Sequence, residues 1–270
     1  MTIILAAVFG LIVFALSARW AWWRGSRPGL SVLCYHKIGR PPAGSRLKDL
    51  WVSPEKFRAQ VKYLLDHGYT TLFFSDLKKI YDKEIPLPEK AVLITFDDGY
   101  QNNYAEASPI LKELGAKGNV FVVYNTIGKA NLWHSPASEP WINMATLAEL
   151  KEMQDSGVME YGSHTMNHPH LSALKPGDAA WEMAESKRQL EAALGREMCA
   201  FAYPYGDGAY IPAIRQAALD AGYIFDFSFQ QGKTPWPWDR KNAPLDRLFI
   251  RGGDNNLDLA LHLSRGASRL

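Results

Sequence analysis

The stretch that decides the fold is AVLITFDDGY at residues 91–100. Its apolar run is continuous rather than alternating, which is typical of a parallel strand that is buried on both faces. Two aspartates and a glycine end the run. Ligands of α/β proteins bind at the C-terminal ends of such strands. Asp97 and Asp98 are therefore candidates for a functional site.

The two aspartates are expected to differ in role. Successive strand residues face opposite sides, and Gly99 permits a backbone turn that other residues resist. One carboxylate is then able to bind a metal while the other accepts a proton. An Asp-Gly pair is equally typical of an ordinary turn in which Asp98 caps the next helix. This stretch alone leaves both interpretations open.

The 270-residue chain has the composition of one large globular domain. Hydrophobic residues make up 47% and charged residues 21%, so the chain can bury a sizeable single core. The formal net charge is only +2 and the Lys and Arg residues are scattered, which argues against a nucleic-acid partner. Cys34 and Cys199 each lie in an apolar run, and we predict two buried, unpaired cysteines rather than a disulfide.

Residues 1–24 are predicted to be a transmembrane anchor. Residues 2–18 are uncharged and almost wholly apolar, and RWAWWR at 19–24 has the tryptophans and arginines typical of a membrane interface. A cleaved signal peptide is the competing interpretation, but no Lys or Arg precedes the apolar run. Because the nearby arginines all follow the span, charge alone places the rest of the chain on the cytoplasmic side of a bacterial-type inner membrane.

Beyond a linker at 25–29, strand and helix patterns alternate throughout residues 30–270. This alternation is typical of a parallel sheet, and seven or eight strands favour a closed barrel in one catalytic domain over an open sheet. The predicted strands lie at 30–35, 69–74, 91–96, 119–124, 159–163, 199–203, 223–228 and 247–250.

A long irregular segment at 125–143 follows one of these strands, where a loop at the functional edge is expected. The segment is rich in Trp, Pro and Ser, and we predict that it forms a wall of a substrate cleft. Trp133 and Trp141 are candidates to stack on sugar rings. Alternatively, they pack the loop against the barrel.

His164 and His168 are spaced i, i+4, which places two imidazoles on one side of a helical turn or tight loop. With one carboxylate of the Asp-Asp pair they would form a facial set of ligands that leaves positions open for water and substrate. Zinc is the expected divalent metal, and Co²⁺, Ni²⁺ and Fe²⁺ suit the same ligands. His36 ends the first predicted strand and is expected at the same edge as the aspartates.

TFDDG at 95–99 and HTMNH at 164–168 resemble the first two motifs of the NodB-like polysaccharide deacetylases, carbohydrate esterase family 4. The resemblance extends over nearly everything after the anchor. It implies a distorted (β/α)7-type barrel, the NodB homology domain, and metal-dependent removal of N-acetyl groups from glycans. Many members of the family work outside the cytoplasm, so the resemblance favours the periplasmic side where charge favours the cytoplasmic one.

The resemblance also assigns roles to residues of this chain. Asp97 corresponds to the general base of the family. The metal ligands correspond to Asp98, His164 and His168. FAYPY at 201–205 resembles the third motif, in which the backbone near the final tyrosine, here Tyr205, helps to hold the oxyanion.

Two positions depart from the usual family pattern. Ala202 stands where the third motif has the arginine that positions the catalytic aspartate, and Arg251, at the end of the last predicted strand, is a candidate to replace it. The histidine of the last motif is matched only weakly by His262. Tyr35-His36 better fits a permuted subgroup, resembling the poly-N-acetylglucosamine deacetylases, in which that histidine lies at the start of the domain. We therefore predict that His36 is the general acid.

These observations predict a hydrolase that removes N-acetyl or related N-acyl groups from an amino-sugar-containing polysaccharide or glycolipid of the cell envelope. Amide hydrolysis needs a nucleophile, a site for the oxyanion and a proton for the departing nitrogen. The alternative is a glycan-binding barrel that has lost its chemistry, with Ala202 as the first sign. A metal-dependent phosphate-ester hydrolase is a further alternative, but such sites usually carry more ligands and a basic clamp.

Overall fold

The computed structural model describes residues 2–20 and 23–269. Ala21 and Trp22, which belong to the predicted membrane-interface segment, lie outside the described residues. The strands are β1 (Ser31–Tyr35), β2 (Lys37–Ile38), β3 (Trp51–Val52), β4 (Thr70–Thr71), β5 (Ala91–Phe96), β6 (Gly118–Val122), β7 (Met159–Ser163), β8 (Ala200–Ala202), β9 (Phe225–Gln231) and β10 (Leu245–Phe249). The α-helices are α1 (Thr2–Trp20), α2 (Pro54–Asp66), α3 (Phe74–Tyr81), α4 (Ser108–Leu114), α5 (Leu147–Asp155), α6 (Pro176–Leu194), α7 (Pro212–Asp220) and α8 (Asn256–Arg265).

Seven of the strands close into a parallel barrel, which confirms the predicted (β/α)7 fold. The order around the ring is β5-β6-β7-β8-β9-β10-β1. The first strand closes the ring by pairing with β5, from Ser31 opposite Val92 to Tyr35 opposite Phe96. Since all seven strands are parallel, their C-terminal ends meet at one edge of the barrel.

Residues of β5 alternate between two apolar layers. Leu93 packs with residues of other barrel strands, including Phe121 and Phe227. Ile94 and Phe96 belong instead to the layer that the strands share with the surrounding helices. Both sides of β5 are therefore buried, which explains why its sequence is continuously apolar. The two predicted unpaired cysteines are also buried and free.

The strand predicted at 69–74 is shorter than expected and lies outside the closed ring. Only the two residues of β4 are extended, and they pair with the first residues of β5. Asn119 of β6 explains this difference. Its Oδ1 accepts a hydrogen bond from the backbone N–H of Phe74 (2.9 Å), and its Nδ2 donates to the carbonyl of Leu72 (2.9 Å). The amide side chain replaces strand hydrogen bonds, and the chain turns into α3.

Helix α1 is long and apolar enough to cross a membrane, with a mean hydropathy of 2.2 in its most apolar window. None of that window is buried against the rest of the chain. A signal sequence near an N-terminus has the same properties, so the retained anchor stays a prediction.

Candidate active site

The residues predicted to carry the chemistry meet at the C-terminal edge of the barrel. They follow three different strands, β1, β5 and β7, which the ring brings together. Most of them are buried, and the side chain of His36, the least buried imidazole, is 11% exposed. These residues are His36 after β1, Asp97 and Asp98 after β5, and His164 and His168 after β7.

Positive φ angles concentrate at this edge. Among the described residues, five that are not glycine have a positive φ, and four of the five border the site: Asp98, Thr165, His168 and Tyr205. Such conformations cost about 1–3 kcal/mol each and persist only where the surrounding structure enforces them. Gly99 has φ 86°, so the turn after β5 needs two successive residues with positive φ. The local backbone is thus specialised to present these side chains.

Asp98, His164 and His168 form a compact set of possible metal ligands. The Oδ1 atom of Asp98 lies 3.4 Å from Nε2 of His164 and 3.2 Å from Nε2 of His168. The Nδ1 atom of His164 lies 2.7 Å from the carbonyl oxygen of Ala202. A proton on that Nδ1 is donated to the carbonyl, which leaves the lone pair of Nε2 directed towards the carboxylate.

These three residues fit a divalent cation. The Oδ1 atom of Asp98 is buried and makes no hydrogen bond within the described part of the chain. Burial raises the pKa of Asp98, but the two histidines outweigh burial and hold its pKa well below the ordinary value. Burial also lowers the pKa of His168, against the opposing effect of Asp98, and so favours the neutral imidazole. A carboxylate and two imidazoles that meet at one buried point are a donor set that suits a divalent metal.

Asp97 is held by a buried arginine, Arg247, which lies in β10. The Nη1 and Nη2 atoms of Arg247 donate to Oδ1 (2.6 Å) and Oδ2 (2.8 Å) of Asp97, and its Nε donates to the carbonyl of Ser228 (2.7 Å). Burial by itself raises the pKa of Asp97, but the charge of Arg247, with help from nearby histidines, outweighs burial and lowers it. The carboxylate is therefore ionised and fixed in orientation.

Arg247, and not Arg251, supplies the guanidinium that binds Asp97, which the family's third motif would carry at the position of Ala202. The Nε atom of Arg251 lies 4.0 Å from a carboxylate oxygen of Asp49, while both carboxylate oxygens of Asp97 bind Arg247. The prediction for Arg251 is thus corrected. A sequence signal for Arg247 did exist, because a charged residue inside an apolar strand must be paired when it is buried. Its partner, however, depends on which face of β10 points inwards.

His36 and His262 occupy different surroundings. Nε2 of His36 lies 3.9 Å from Oδ2 of Asp97, at the site. Burial lowers the pKa of His36, although the neighbouring carboxylates oppose the shift. His262 lies in α8, where its Nε2 is 3.5 Å from a carboxylate oxygen of Asp254. The structure therefore brings His36, and not His262, beside Asp97.

The aromatic residues predicted to contact substrate lie in different environments. Trp133 stacks on the ring of His168 at a centroid distance of 4.5 Å, and Tyr205 meets the same ring edge-on at 4.5 Å. Both rings therefore contact one of the candidate metal ligands, His168, directly. His170, to which the sequence assigned no role, stacks on Tyr205 at 4.0 Å. Trp141 is 50% exposed and donates its indole N–H to a carbonyl of its own loop.

A buried ion pair next to the site gave no signal in the sequence. The side chain of Lys37, directly after His36, is fully buried, and its Nζ lies 3.8 Å from Oε1 of Glu139. Glu139 accepts a further hydrogen bond from the hydroxyl of Ser45 (2.7 Å). Burial lowers the pKa of Lys37, and carboxylates oppose that shift. These contacts join β2 and the loop that follows it to the segment 125–143.

Known proteins similar to this chain include deacetylases. The polysaccharide deacetylase family profile matches residues 84–225. YxkH of Bacillus subtilis is 32% identical over 213 residues, which cover 78% of this chain and 69% of YxkH. A poly-beta-1,6-N-acetyl-D-glucosamine N-deacetylase of Staphylococcus aureus is 28% identical over 194 residues, which cover 68% of this chain and 64% of that enzyme.

A solved structure shares both the fold and part of the sequence. The deacetylase PplD of Streptococcus pyogenes, in complex with acetate, has a TM-score of 0.73 and 26% identity to this chain. The similarity covers 88% of this chain and 99% of PplD. The family profile spans more than half of the sequence, and it includes the Asp-Asp pair and both histidines of the ligand set. The chain therefore belongs to the polysaccharide deacetylase family.

Proposed function

We propose that this chain is a metal-dependent deacetylase that removes N-acetyl or related N-acyl groups from an amino-sugar-containing polysaccharide or glycolipid of the cell envelope. One observation carries the proposal: Asp98 lies 3.2 Å from a histidine nitrogen while the adjacent Asp97 is held by Arg247 at 2.6 Å. One barrel edge thus combines metal ligands with an ionised, oriented base. A relative named as a poly-N-acetylglucosamine deacetylase supports the substrate class.

The chain's own groups account for both proton transfers of amide hydrolysis. Asp98 and the two histidines would hold a divalent metal, whose Lewis acidity would acidify water and polarise a carbonyl oxygen. Asp97 is ionised and fixed by Arg247, so it is placed to take the proton of the attacking water. His36 lies beside Asp97, and its lowered pKa makes the protonated imidazole a stronger acid towards the departing nitrogen.

The presence of Arg247 removes the reason to prefer a glycan-binding barrel without activity. Ala202 was the only departure that suggested lost chemistry, and the guanidinium that it lacks is supplied from another strand. We propose zinc as the metal, because two imidazoles and one carboxylate with open positions are a common zinc donor set. Co²⁺, Ni²⁺ and Fe²⁺ suit the same ligands, so elemental analysis of the purified protein decides between them.

The proposal is tested by acetate release from N-acetylated sugar oligomers, measured together with metal content. We expect His168→Ala to lose metal and acetate release together, because it removes one of the three ligands. Treatment of the unaltered protein with a chelator should have the same effect, and added metal should restore release. His67→Ala is the matched control, since His67 stacks on Tyr63 outside the site. Full metal stoichiometry in His168→Ala would contradict the ligand assignment.

His36→Ala is expected to lower kcat on an N-acetylated sugar by about 10²–10⁴-fold with metal content unchanged, because positioned proton transfer contributes a factor of that size. The defect should shrink markedly on nitrophenyl acetate, whose leaving group departs without a proton. His262→Ala should mainly reduce thermal stability, since His262 is buried against Asp254. A larger kcat defect in His262→Ala, or equal defects of His36→Ala on both substrates, would reverse the assignment.

We also propose that α1 remains attached as a single membrane anchor and that the barrel lies on the cytoplasmic side. The basis is that Arg19, Arg24 and Arg27 all follow the apolar run. Alkaline phosphatase fused after residue 270 should then be inactive, because that enzyme needs the periplasm to form its disulfides. The same fusion behind a cleavable export signal is the positive control. An active fusion to the unaltered chain would place the barrel in the periplasm.

A further inference from the structure

The last turn of α1 is tied to the first turn of α8. Arg19 donates from Nη2 to Oδ2 of Asp258 (2.8 Å), and its Nη1 lies 2.5 Å from Oδ1 of the same carboxylate. The Asp258 side chain is fully buried and that of Arg19 is 30% exposed, so this two-point ion pair is partly shielded from water. Helix α8 follows β10, and its first turn therefore lies at the barrel edge that carries the active site.

Ser26 and Arg27 lie at the other end of α8, near the opposite edge of the barrel. The hydroxyl of Ser26 and the backbone N–H of Arg27 both donate to the carbonyl of Ser264, in the last turn of α8 (3.0 and 2.8 Å). The chain then enters β1 from that opposite edge. The apolar part of α1 is exposed and makes no buried contact in the described structure. The anchor therefore joins the domain at the level of the active site, not at the far end of the barrel.

A surface rich in exposed leucines and cations adjoins this junction. We define the apposition patch as Arg46, Leu47, Lys48, Arg251 and Leu257. Leu47 is 37% and Leu257 is 51% exposed. The backbone N–H of Gly252 donates to the carbonyl of Asp49 (3.0 Å), which joins the loop between β2 and β3 to the start of α8. The patch is thus continuous from the loop to the helix that receives the anchor.

The composition of the apposition patch suits an anionic lipid surface. It carries three cationic side chains, and the exposed carboxylate of Asp49 adjoins it. Cations beside exposed aliphatic residues are typical of protein surfaces that lie on anionic headgroups. Further exposed apolar residues, Leu132, Trp141 and Tyr205, lie on other loops of the same barrel edge.

We propose that the apposition patch lies against the same bilayer that α1 crosses, so that the mouth of the barrel faces the membrane surface. The partner is the anionic phospholipid headgroup layer. This inference rests on the proposed retention of α1 in the membrane. Combined with the proposed deacetylation, it assigns the substrate to glycan chains held at the membrane surface, such as lipid-linked ones, because these reach a site that faces the bilayer.

The test uses the full chain in vesicles of phosphatidylethanolamine and phosphatidylglycerol, with a fluorophore attached to a single introduced cysteine. The native cysteines are both buried, so the introduced one reacts selectively. Labels at Leu47→Cys and Leu257→Cys should be quenched strongly by lipids that carry a quencher near the headgroup. Ile85→Cys is the matched control, because Ile85 is exposed and lies in the segment between α3 and β5, at the opposite edge. Equal quenching at all three positions would overturn the proposal.

A label at Phe9→Cys, within α1, separates two kinds of failure. If lipids with a quencher deep in their acyl chains quench this label, α1 is in the bilayer. Labels at Leu47→Cys and Leu257→Cys that are not quenched would then refute the proposed orientation alone. If the Phe9→Cys label is not quenched, the retained anchor and the orientation both fail. Acetate release from soluble N-acetylated oligomers, measured on the same samples, reports on the proposed deacetylation independently of either result.

Arg19→Gln should release the domain from its fixed orientation. We expect weaker quenching at Leu257→Cys, with quenching at Phe9→Cys unchanged. Deacetylation of a lipid-linked N-acetylated glycan in the vesicles should fall several-fold, while release from soluble oligomers stays the same. Arg24→Gln is the control, since within the described residues Arg24 makes one long hydrogen bond, to the carbonyl of Arg269 (3.3 Å). Unchanged quenching and unchanged lipid-linked activity in Arg19→Gln would contradict the role of the Arg19–Asp258 pair.

Discussion

Asp97→Asn is expected to lower kcat for acetate release by about 10²–10⁴-fold, the usual contribution of a positioned general base. The amide of asparagine cannot take a proton from water at neutral pH, although it occupies the same space. Metal content should be unchanged, because the proposed ligands are Asp98 and the two histidines. The measurement is kcat on N-acetylated sugar oligomers, with elemental analysis of the same preparation.

Asp98→Asn is the matched control for this prediction, because it changes the neighbouring residue by the same chemistry. We expect it to lose metal as well as turnover. Thermal unfolding of both variants shows whether either effect comes from loss of the fold, since each carboxylate is buried. Equal metal loss in the two variants would show that the division of roles between Asp97 and Asp98 is wrong.

Arg247→Met is expected to reduce the free energy of unfolding by about 3–5 kcal/mol, because removal of one partner leaves the other charge buried and uncompensated. The substitution removes all three hydrogen bonds of the guanidinium, including both to Asp97. It should also lower kcat, since the pKa of Asp97 rises and its orientation is no longer fixed. Chemical denaturation and kcat at a temperature where the variant is folded measure the two effects.

Arg215→Met separates the catalytic effect from the stability effect. Arg215 forms a comparable pair with Asp226, with its Nε 2.8 Å from a carboxylate oxygen that is fully buried, but this pair lies outside the active site. The variant should therefore lose stability and keep the kcat of the folded protein. If Arg215→Met and Arg247→Met lowered kcat equally, Arg247 would have only a structural role.

The stability difference between the unaltered protein and Arg247→Met should depend on pH. The pKa of Asp97 in the folded protein is below its ordinary value of 3.8. A group whose pKa is lowered by folding stabilises the folded protein at any pH above its pKa in the unfolded chain. This contribution is lost as the pH falls through the pKa of the group in the folded protein. The two unfolding free energies should therefore converge in acid, as measured by denaturant unfolding from neutral pH downwards. A constant difference would mean that Asp97 is not the group that Arg247 stabilises.

The sequence was sufficient to predict the barrel and the residues that gather at its active edge. The apolar run before Asp97 and the spacing of His164 and His168 are local patterns, and their meaning does not depend on the rest of the chain. The position of His36 at the end of β1 follows from the same rule, because all parallel strands end at one edge.

Contacts between distant strands could not be predicted in this way. Arg247 reaches Asp97 only because of how β10 sits in the ring, and the pairing of β9 with β10 shifts its register between Leu245 and Arg247. The Lys37–Glu139 pair joins the short strand β2 to an irregular segment whose path leaves no periodic pattern. Both arrangements depend on tertiary geometry, which a single sequence does not encode in its spacing.

Closure of the ring by β1 has a consequence for the order of events during synthesis. Leu33 of β1 pairs with Leu248 of β10, more than two hundred residues later in the chain. Such distant pairing forms slowly, because a long loop must be closed first. The ribosome must therefore have added more than two hundred residues after β1 before β1 and β10 can meet. We expect nascent chains that stop before β10 to stay open and protease-sensitive.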